Sequence, residues 1–79
     1  MNAEIYDILR MAMFGCNSLS IWSEKELADR NQFIEWAIKD SNVLADLPDY
    51  TESEVRIMLS EVFDEELKGY RRGIRMVNK

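Results

Sequence analysis

Histidine is absent from this sequence of 79 residues, so the side chain that most often acts as a general base or metal ligand near neutral pH is missing. The single cysteine, Cys16, cannot form a disulfide within the chain, which favours a reducing cytoplasm as its compartment. With no histidine to activate its thiol, Cys16 is expected to be a semi-buried small residue. The sequence contains no recognisable set of catalytic residues, metal ligands or cofactor-binding residues, and we therefore expect a protein that is not an enzyme.

Long apolar runs are also missing, and none approaches the ~20 residues of a membrane span. Residues 1–4 lack the basic stretch that opens a signal peptide. Hydrophobic residues make up 47% of the chain and charged residues 32%, as in a folded globular domain. With one proline and no segment of strand-like alternation, the chain is predicted to form a single all-α domain over residues 1–79.

Two segments carry the Ser/Thr-x-x-Glu pattern of a capping box, at residues 23–26 and 51–54. In this motif the hydroxyl oxygen accepts a hydrogen bond from the amide three residues later, and the glutamate accepts one from the hydroxyl residue's own amide. The first box predicts a helix that runs to about Asp40. On that helix Arg30 falls within the apolar arc and is expected to snorkel or pair with a carboxylate, whereas Trp36 falls outside the arc.

The remaining helices are predicted from apolar spacing. A first helix is expected to end at Gly15 and to be followed by a loop at 16–21, and a short helix or turn near Val43 is expected to stop before Pro48. The helix that the second box opens is predicted to break or kink near Gly69, since a helix unbroken to Val77 would be about 40 Å long. The predicted fold is therefore a small bundle of three main helices with a short, basic C-terminal helical extension.

Charge is divided unevenly along the chain. All 15 acidic residues lie at or before Glu66, whereas half of the 10 basic residues follow it. An acidic body repels nucleic acid and membrane surfaces and suits a basic protein partner. The predicted acidic surface, densest at residues 64–66, comprises Glu52, Glu54, Glu61, Asp64, Glu65 and Glu66. The basic segment 68–79, with Lys68, Arg71, Arg72 and Arg75, either compensates a helix C-terminus or forms a separate docking surface. Nucleic-acid binding is a third interpretation, for which five charges are a weak footprint beside the acidic body.

The first helix carries apolar residues around most of its circumference, which is more than one side of a small bundle can bury. The surplus either packs against the loop at 16–22 or contacts a partner or a second copy. Trp36 is a further candidate contact, because aromatic residues anchor interfaces. The predicted partner-binding residues are Ile5, Ile8, Leu9, Ala12, Met13, Phe14 and Trp36.

Several short motifs are similar to those of the anti-sigma protein family of T-even phages (AsiA-like). That family is small, acidic and all-helical. The chain resembles it at an aromatic-Ser pair that opens a helix, at the middle of that helix, at a later helix start and in the tail. The residues concerned are Trp22-Ser23, Gln32-Phe33-Ile34, Thr51-Glu52-Ser53, Tyr70-Arg71 and Asn78-Lys79. The segment 15–21 is longer here than in the family, which affects the register of the first helix.

The resemblance implies a protein that binds the promoter-recognition end of the primary sigma factor and redirects host RNA polymerase. It also implies that the first helix contacts sigma and supports a homodimer that sigma displaces. Two alternatives stay open. One is a DNA mimic that inhibits a restriction or CRISPR complex, with the acidic surface replacing phosphates. The other is a structural module that assembles with itself.

Overall fold

The computed structural model describes the backbone of residues 1–77 and the side chains of residues 1–73. The described chain forms five α-helices and no strand, with a 3-10 turn at Leu19–Ile21 inside the predicted loop. The helices are α1 (Ala3–Phe14), α2 (Glu24–Leu27), α3 (Arg30–Asp40), α4 (Val43–Asp46) and α5 (Glu52–Val77). The three main helices α1, α3 and α5 pack on one another, and α4 packs against α1 and α3. The predicted all-α bundle is confirmed.

Both ends of α1 follow from local sequence. The side chain of Asn2 accepts a hydrogen bond from the amide of Ile5 at 2.8 Å and so caps the first turn. Gly15 ends the helix with φ +65° and ψ −144°, a region of backbone space that is costly for residues with a Cβ atom. Its amide still donates to the carbonyl of Met11, so the helix closes at the predicted residue.

Both capping boxes form, but the helix after the first is shorter than predicted. Ser23 and Glu26 exchange the two expected hydrogen bonds, as do Thr51 and Glu54. The predicted single helix to Asp40 is wrong, because α2 ends at Leu27 and α3 begins at Arg30. Asp29 accounts for the restart, since its carboxylate accepts a hydrogen bond from the amide of Gln32 and caps a new helix.

The predicted break near Gly69 is also wrong, because α5 continues through Gly69 and Gly73 to Val77. The 26 residues of α5 span about 39 Å, which fits within the 44 Å long axis of the molecule. A Cβ atom on either glycine would meet nothing within 4 Å, so close packing does not require them. Each glycine costs roughly 1 kcal/mol relative to alanine, and a helix already nucleated can sustain that cost.

The core is built around three buried phenylalanine rings. Phe14 at the end of α1 lies 5.3 Å from Phe33 and 5.8 Å from Phe63, measured between ring centroids, and Trp22 meets Phe33 edge-on. Among the described side chains, no polar or charged residue is buried. The remaining buried positions are aliphatic, namely Leu9, Ala12, Met13, Leu19, Leu27, Ile34, Ala37, Val43, Leu47, Val55, Leu59 and Val62. No described helix is both long and apolar enough to cross a membrane.

Candidate partner-binding groove

A surface groove of about 350 Å³ lies between the C-terminal end of α1 and one side of α3. Its lining includes the buried rings of Phe14 and Phe33, which form its aromatic floor, and the half-buried ring of Trp22. We call this feature the α1–α3 groove. Its remaining lining residues are Met11, Ala12, Met13, Gly15, Asn17, Gln32, Trp36 and Ser41.

Two large apolar side chains on the groove are open to solvent. Met11 on α1 is 53% exposed and Trp36 on α3 is 59% exposed. Methionine adapts its shape to a partner and tryptophan offers a large rigid surface, so both types are common in protein interfaces. The groove therefore combines a rigid aromatic floor with an adaptable rim, which suits the insertion of one or two apolar side chains from another molecule.

Arg10 fixes the end of α1 that borders the groove. Its guanidinium donates from Nη1 to the carbonyl oxygen of Gly15 at 3.0 Å and from Nη2 to the carbonyl oxygen of Asn17 at 3.1 Å. Its Nε pairs with the carboxylate of Glu66 on α5, and its guanidinium carbon lies 5.8 Å from the centre of the Phe14 ring. One arginine therefore satisfies carbonyls at the helix end and joins α1 to α5.

Tyr6 completes this connection one turn earlier on α1. Its hydroxyl donates to Glu66 Oε2 at 2.9 Å, so one carboxylate receives both Tyr6 and Arg10. Burial, with the hydrogen bond to Glu66 and that carboxylate's charge, raises the pKa of Tyr6 to about 12. The neutral phenol is thus maintained over the physiological pH range, and α1 is held on α5 by two polar contacts.

Most of the predicted partner-binding residues of α1 lie inside the protein's own core. Leu9, Ala12, Met13 and Phe14 are buried, and Ile5 and Ile8 are half-buried against the core. The first helix uses these residues to meet α3, α4 and α5, so Leu9 is closed to a partner, whereas Ala12, Met13 and Phe14 are open to one only through the groove that they line. Outside the groove, the accessible part of the predicted face consists of Ile5 and Ile8.

Trp36 lies on the surface as its position outside the apolar arc predicted, and it borders the groove with Met11. Met11 belongs to the surplus apolar surface that was predicted for the first helix, although it was not in the list of predicted partner-binding residues. Glu4, Asp7 and Met11 follow one another at spacings of three and four residues, so Met11 is an apolar member of an otherwise charged stripe. All three are exposed.

The predicted acidic surface is largely occupied by contacts within the chain. Glu66 binds Arg10 and Tyr6, Asp64 pairs with Arg30 at 2.9 Å, and Glu52 pairs with Arg56 at 3.1 Å. Glu54 accepts the capping hydrogen bond from Thr51. The contact of Arg30 with Asp64 confirms the pairing expected for that arginine. Among the described side chains, Glu61 and Glu65 make no ion pair and remain exposed on α5.

The predicted basic residues lie on the continuous helix α5, not on a separate extension. Arg71 donates to Glu24 at 3.2 Å, while Lys68 and Arg72 are exposed. Lys68, Arg71 and Arg72 border a second, shallow groove with Asp64 and Leu67. The side chain of Arg75 lies outside the described residues, as does the tail at Asn78 and Lys79.

In residues 1–73, no group of three or more His, Cys, Asp or Glu side chains is placed to hold a metal ion. Cys16 is exposed, contrary to the expectation of a semi-buried residue, because it follows the turn at Gly15 and points away from the core. Comparison of the chain with protein-family models, with curated proteins and with solved structures gives no match in any of the three.

Proposed function

We propose that this protein is a stoichiometric binding protein that inhibits or redirects a basic host protein, and that the α1–α3 groove receives an apolar anchor of that partner. The supporting observation is the exposure of Met11 and Trp36 on one groove above an aromatic floor. Exposed methionine and tryptophan that converge on a concave surface are typical of protein recognition sites.

Charge around the groove supports a basic partner. Asp7 lies one turn before Met11 on α1, and Asp40 lies one turn after Trp36 on α3, and both carboxylates are exposed. The whole chain has a net charge of −5. An apolar anchor flanked by lysine or arginine would be steered toward this surface and would match it after contact.

The resemblance to phage anti-sigma proteins makes the primary sigma factor of RNA polymerase the named candidate partner. In that family the first helix provides the sigma contacts. Here Leu9, Ala12, Met13 and Phe14 are buried, so a partner meets the last three only at the groove lining and Leu9 only by unpacking the core, whereas Met11 and Trp36 are already exposed. We therefore propose that sigma, as the partner, contacts the α1–α3 groove, together with the half-buried Ile5 and Ile8 earlier on α1.

The DNA-mimic alternative has less support. Such a mimic needs an array of carboxylates that are free to replace phosphates, yet Glu52, Asp64 and Glu66 are already paired within the chain. Pairing neutralises their charge and fixes them to their own fold. An array reduced mainly to Glu61 and Glu65 is a weak imitation of a phosphate backbone, which carries one charge per ~1.7 Å of duplex.

The test is calorimetric titration of a purified bacterial primary sigma factor with the wild-type protein and with two groove variants, Trp36→Ala and Met11→Glu. The matched control is Ile57→Ala, because Ile57 is 61% exposed on α5 and does not border the groove. Each groove variant should weaken binding by about 30-fold, as loss of an interface hot spot of about 2 kcal/mol predicts. Ile57→Ala should bind like the wild type.

Three results would change the proposal in different ways. If sigma does not bind the wild-type protein, the sigma assignment fails. If sigma binds Trp36→Ala and Met11→Glu as tightly as the wild type, the groove assignment fails instead. Binding that disappears at about 1 M salt and on charge reversal of Glu61 and Glu65 would favour the DNA mimic, because apolar contacts survive screening better than ionic ones.

A further inference from the structure

The solvent face of α5 carries a charge pattern that the fold itself does not use. Glu61, Glu65, Lys68 and Arg72 follow one another at spacings of four, three and four residues, so the four side chains lie along one face of the helix. All four are exposed, and no ion pair joins any of them to another described side chain. The face is therefore acidic toward the middle of α5 and basic beyond it.

This arrangement carries a cost within one chain. Glu61 and Glu65 are like charges four residues apart, and so are Lys68 and Arg72, and such pairs destabilise a helix. Glu65 and Lys68, three residues apart, are the one pair of opposite charges at a favourable spacing within this set, and they form no ion pair. The helix dipole does not account for the like-charge pairs either. Its effect is confined to the first and last turns, whereas Glu61, Glu65 and Lys68 each lie about nine residues or more from both ends of α5.

An antiparallel second copy resolves the pattern. When two α5 helices lie antiparallel with their two-fold axis between Glu65 and Lys68, Glu65 of each copy faces Lys68 of the other. In the same register Glu61 faces Arg72. Both pairings share one centre, so one rotation satisfies four opposite-charge contacts at once. Antiparallel helix pairs choose partner and register through flanking charges in this way.

We propose that the exposed face of α5 is a self-recognition surface on which a second copy of this chain docks antiparallel. The occupant is a second copy because the complementary charges occur in one sequence, in reversed order about a single point. The continuity of α5 through Gly69 is required, since a break there would separate Lys68 from Arg72. Ile57, exposed one turn before Glu61, adds apolar surface to the same face.

The exposed face of α5 is separate from the α1–α3 groove, so this proposal can be tested independently of the proposed function. None of the described side chains of α5, which run to residue 73, borders the groove. A dimer through α5 would leave Met11 and Trp36 of both copies open to a partner. Exposed ion pairs contribute little each, so the association is expected to be weak and to be visible at protein concentrations up to about 1 mM.

The experiment is sedimentation equilibrium at about 0.1 M salt, where the screening length is about 10 Å. One variant carries an all-acidic face (Lys68→Glu with Arg72→Glu), and the other carries an all-basic face (Glu61→Arg with Glu65→Lys). The wild type should show reversible dimers of twice the 9.3 kDa monomer mass. Each variant alone should associate at least about tenfold more weakly, while their equimolar mixture should dimerise more tightly than the wild type.

A second pair of variants covers the case in which four like charges unfold the helix. Arg72→Glu alone should lose dimerisation, and Glu61→Arg combined with Arg72→Glu should regain it, because the swap exchanges the two members of one pair. The matched control, Asp7→Arg with Asp40→Lys, reverses two exposed acids away from α5 and should dimerise at least as well as the wild type. Circular dichroism should give the same helical content throughout.

Three results would overturn the proposal. The first is a wild-type protein that stays monomeric at 1 mM while the mixed variants also stay monomeric. The second is dimerisation of the wild type that both single-sign variants retain. The third is loss of the dimer in Trp36→Ala, which would assign self-association to the α1–α3 groove.

Discussion

Replacement of Phe14 by alanine tests whether this residue belongs to the core or to an interface. The ring is 1% exposed and meets Phe33, Phe63 and Trp22 at centroid distances of 5.3 to 5.8 Å. Removal of a buried phenylalanine side chain costs about 3–5 kcal/mol. A domain of 79 residues has a total stability of about 4–12 kcal/mol, so Phe14→Ala should remove from about a quarter of that stability to all of it.

A milder change makes the comparison quantitative. Phe14→Leu keeps part of the apolar volume and should lower the free energy of unfolding by about 1–2 kcal/mol, a fall in Tm of roughly 4–16 °C for a domain of this size. Trp36→Ala is the control, because Trp36 is exposed and its loss should change stability by no more than about 0.5 kcal/mol. Urea denaturation followed by circular dichroism measures both values. A stability unchanged in Phe14→Leu but lowered in Trp36→Ala would refute the assignment of core and surface given above.

Two other predictions concern α1 and α5. The pKa of Tyr6 is raised to about 12 in the folded protein from an ordinary value of 10.0, so its contribution to stability is complete below pH 10 and is lost as the pH rises toward 12. Urea unfolding between pH 9 and 12 should show a shallower alkaline loss of stability in Tyr6→Phe than in the wild type; equal slopes would contradict this. Replacement of Gly69 and Gly73 by alanine should raise the stability of α5 by roughly 0.5–1 kcal/mol each and increase helical content, whereas a loss of either would indicate that α5 is broken there.

The helix starts were predictable because the groups that make them lie within four residues of one another. Ser23 and Glu26 carry a complete capping box, and Thr51 and Glu54 carry another, so no tertiary information is needed. Locality alone was not enough to predict the restart of the helix at α3. Asp29 also offers a cap, but it lies inside an apolar pattern that continues across it, and the periodic signal outweighed the capping signal.

The groove was less predictable because it depends on which side of α1 faces inward. Phe14 and Met11 are both apolar and lie three residues apart, and the packing of α3 and α5 decides that Phe14 is buried and Met11 exposed. The exposure of Trp36 was predictable, because this residue lies outside the apolar arc of its own helix. The predicted break at Gly69 was wrong because a propensity cost of about 1 kcal/mol is too small to decide where a 26-residue helix ends.

The two tryptophans occupy such different surroundings that each one reports a separate event. Trp22 sits edge-on to Phe33 and beside Phe14 within the aromatic cluster, so its fluorescence follows the integrity of the fold. Trp36 stands in solvent on the groove rim, so it is open to a soluble quencher until a partner covers it. Unfolding and docking can therefore be followed in one unlabelled sample, and a Trp36→Phe protein would keep the first optical signal while losing the second.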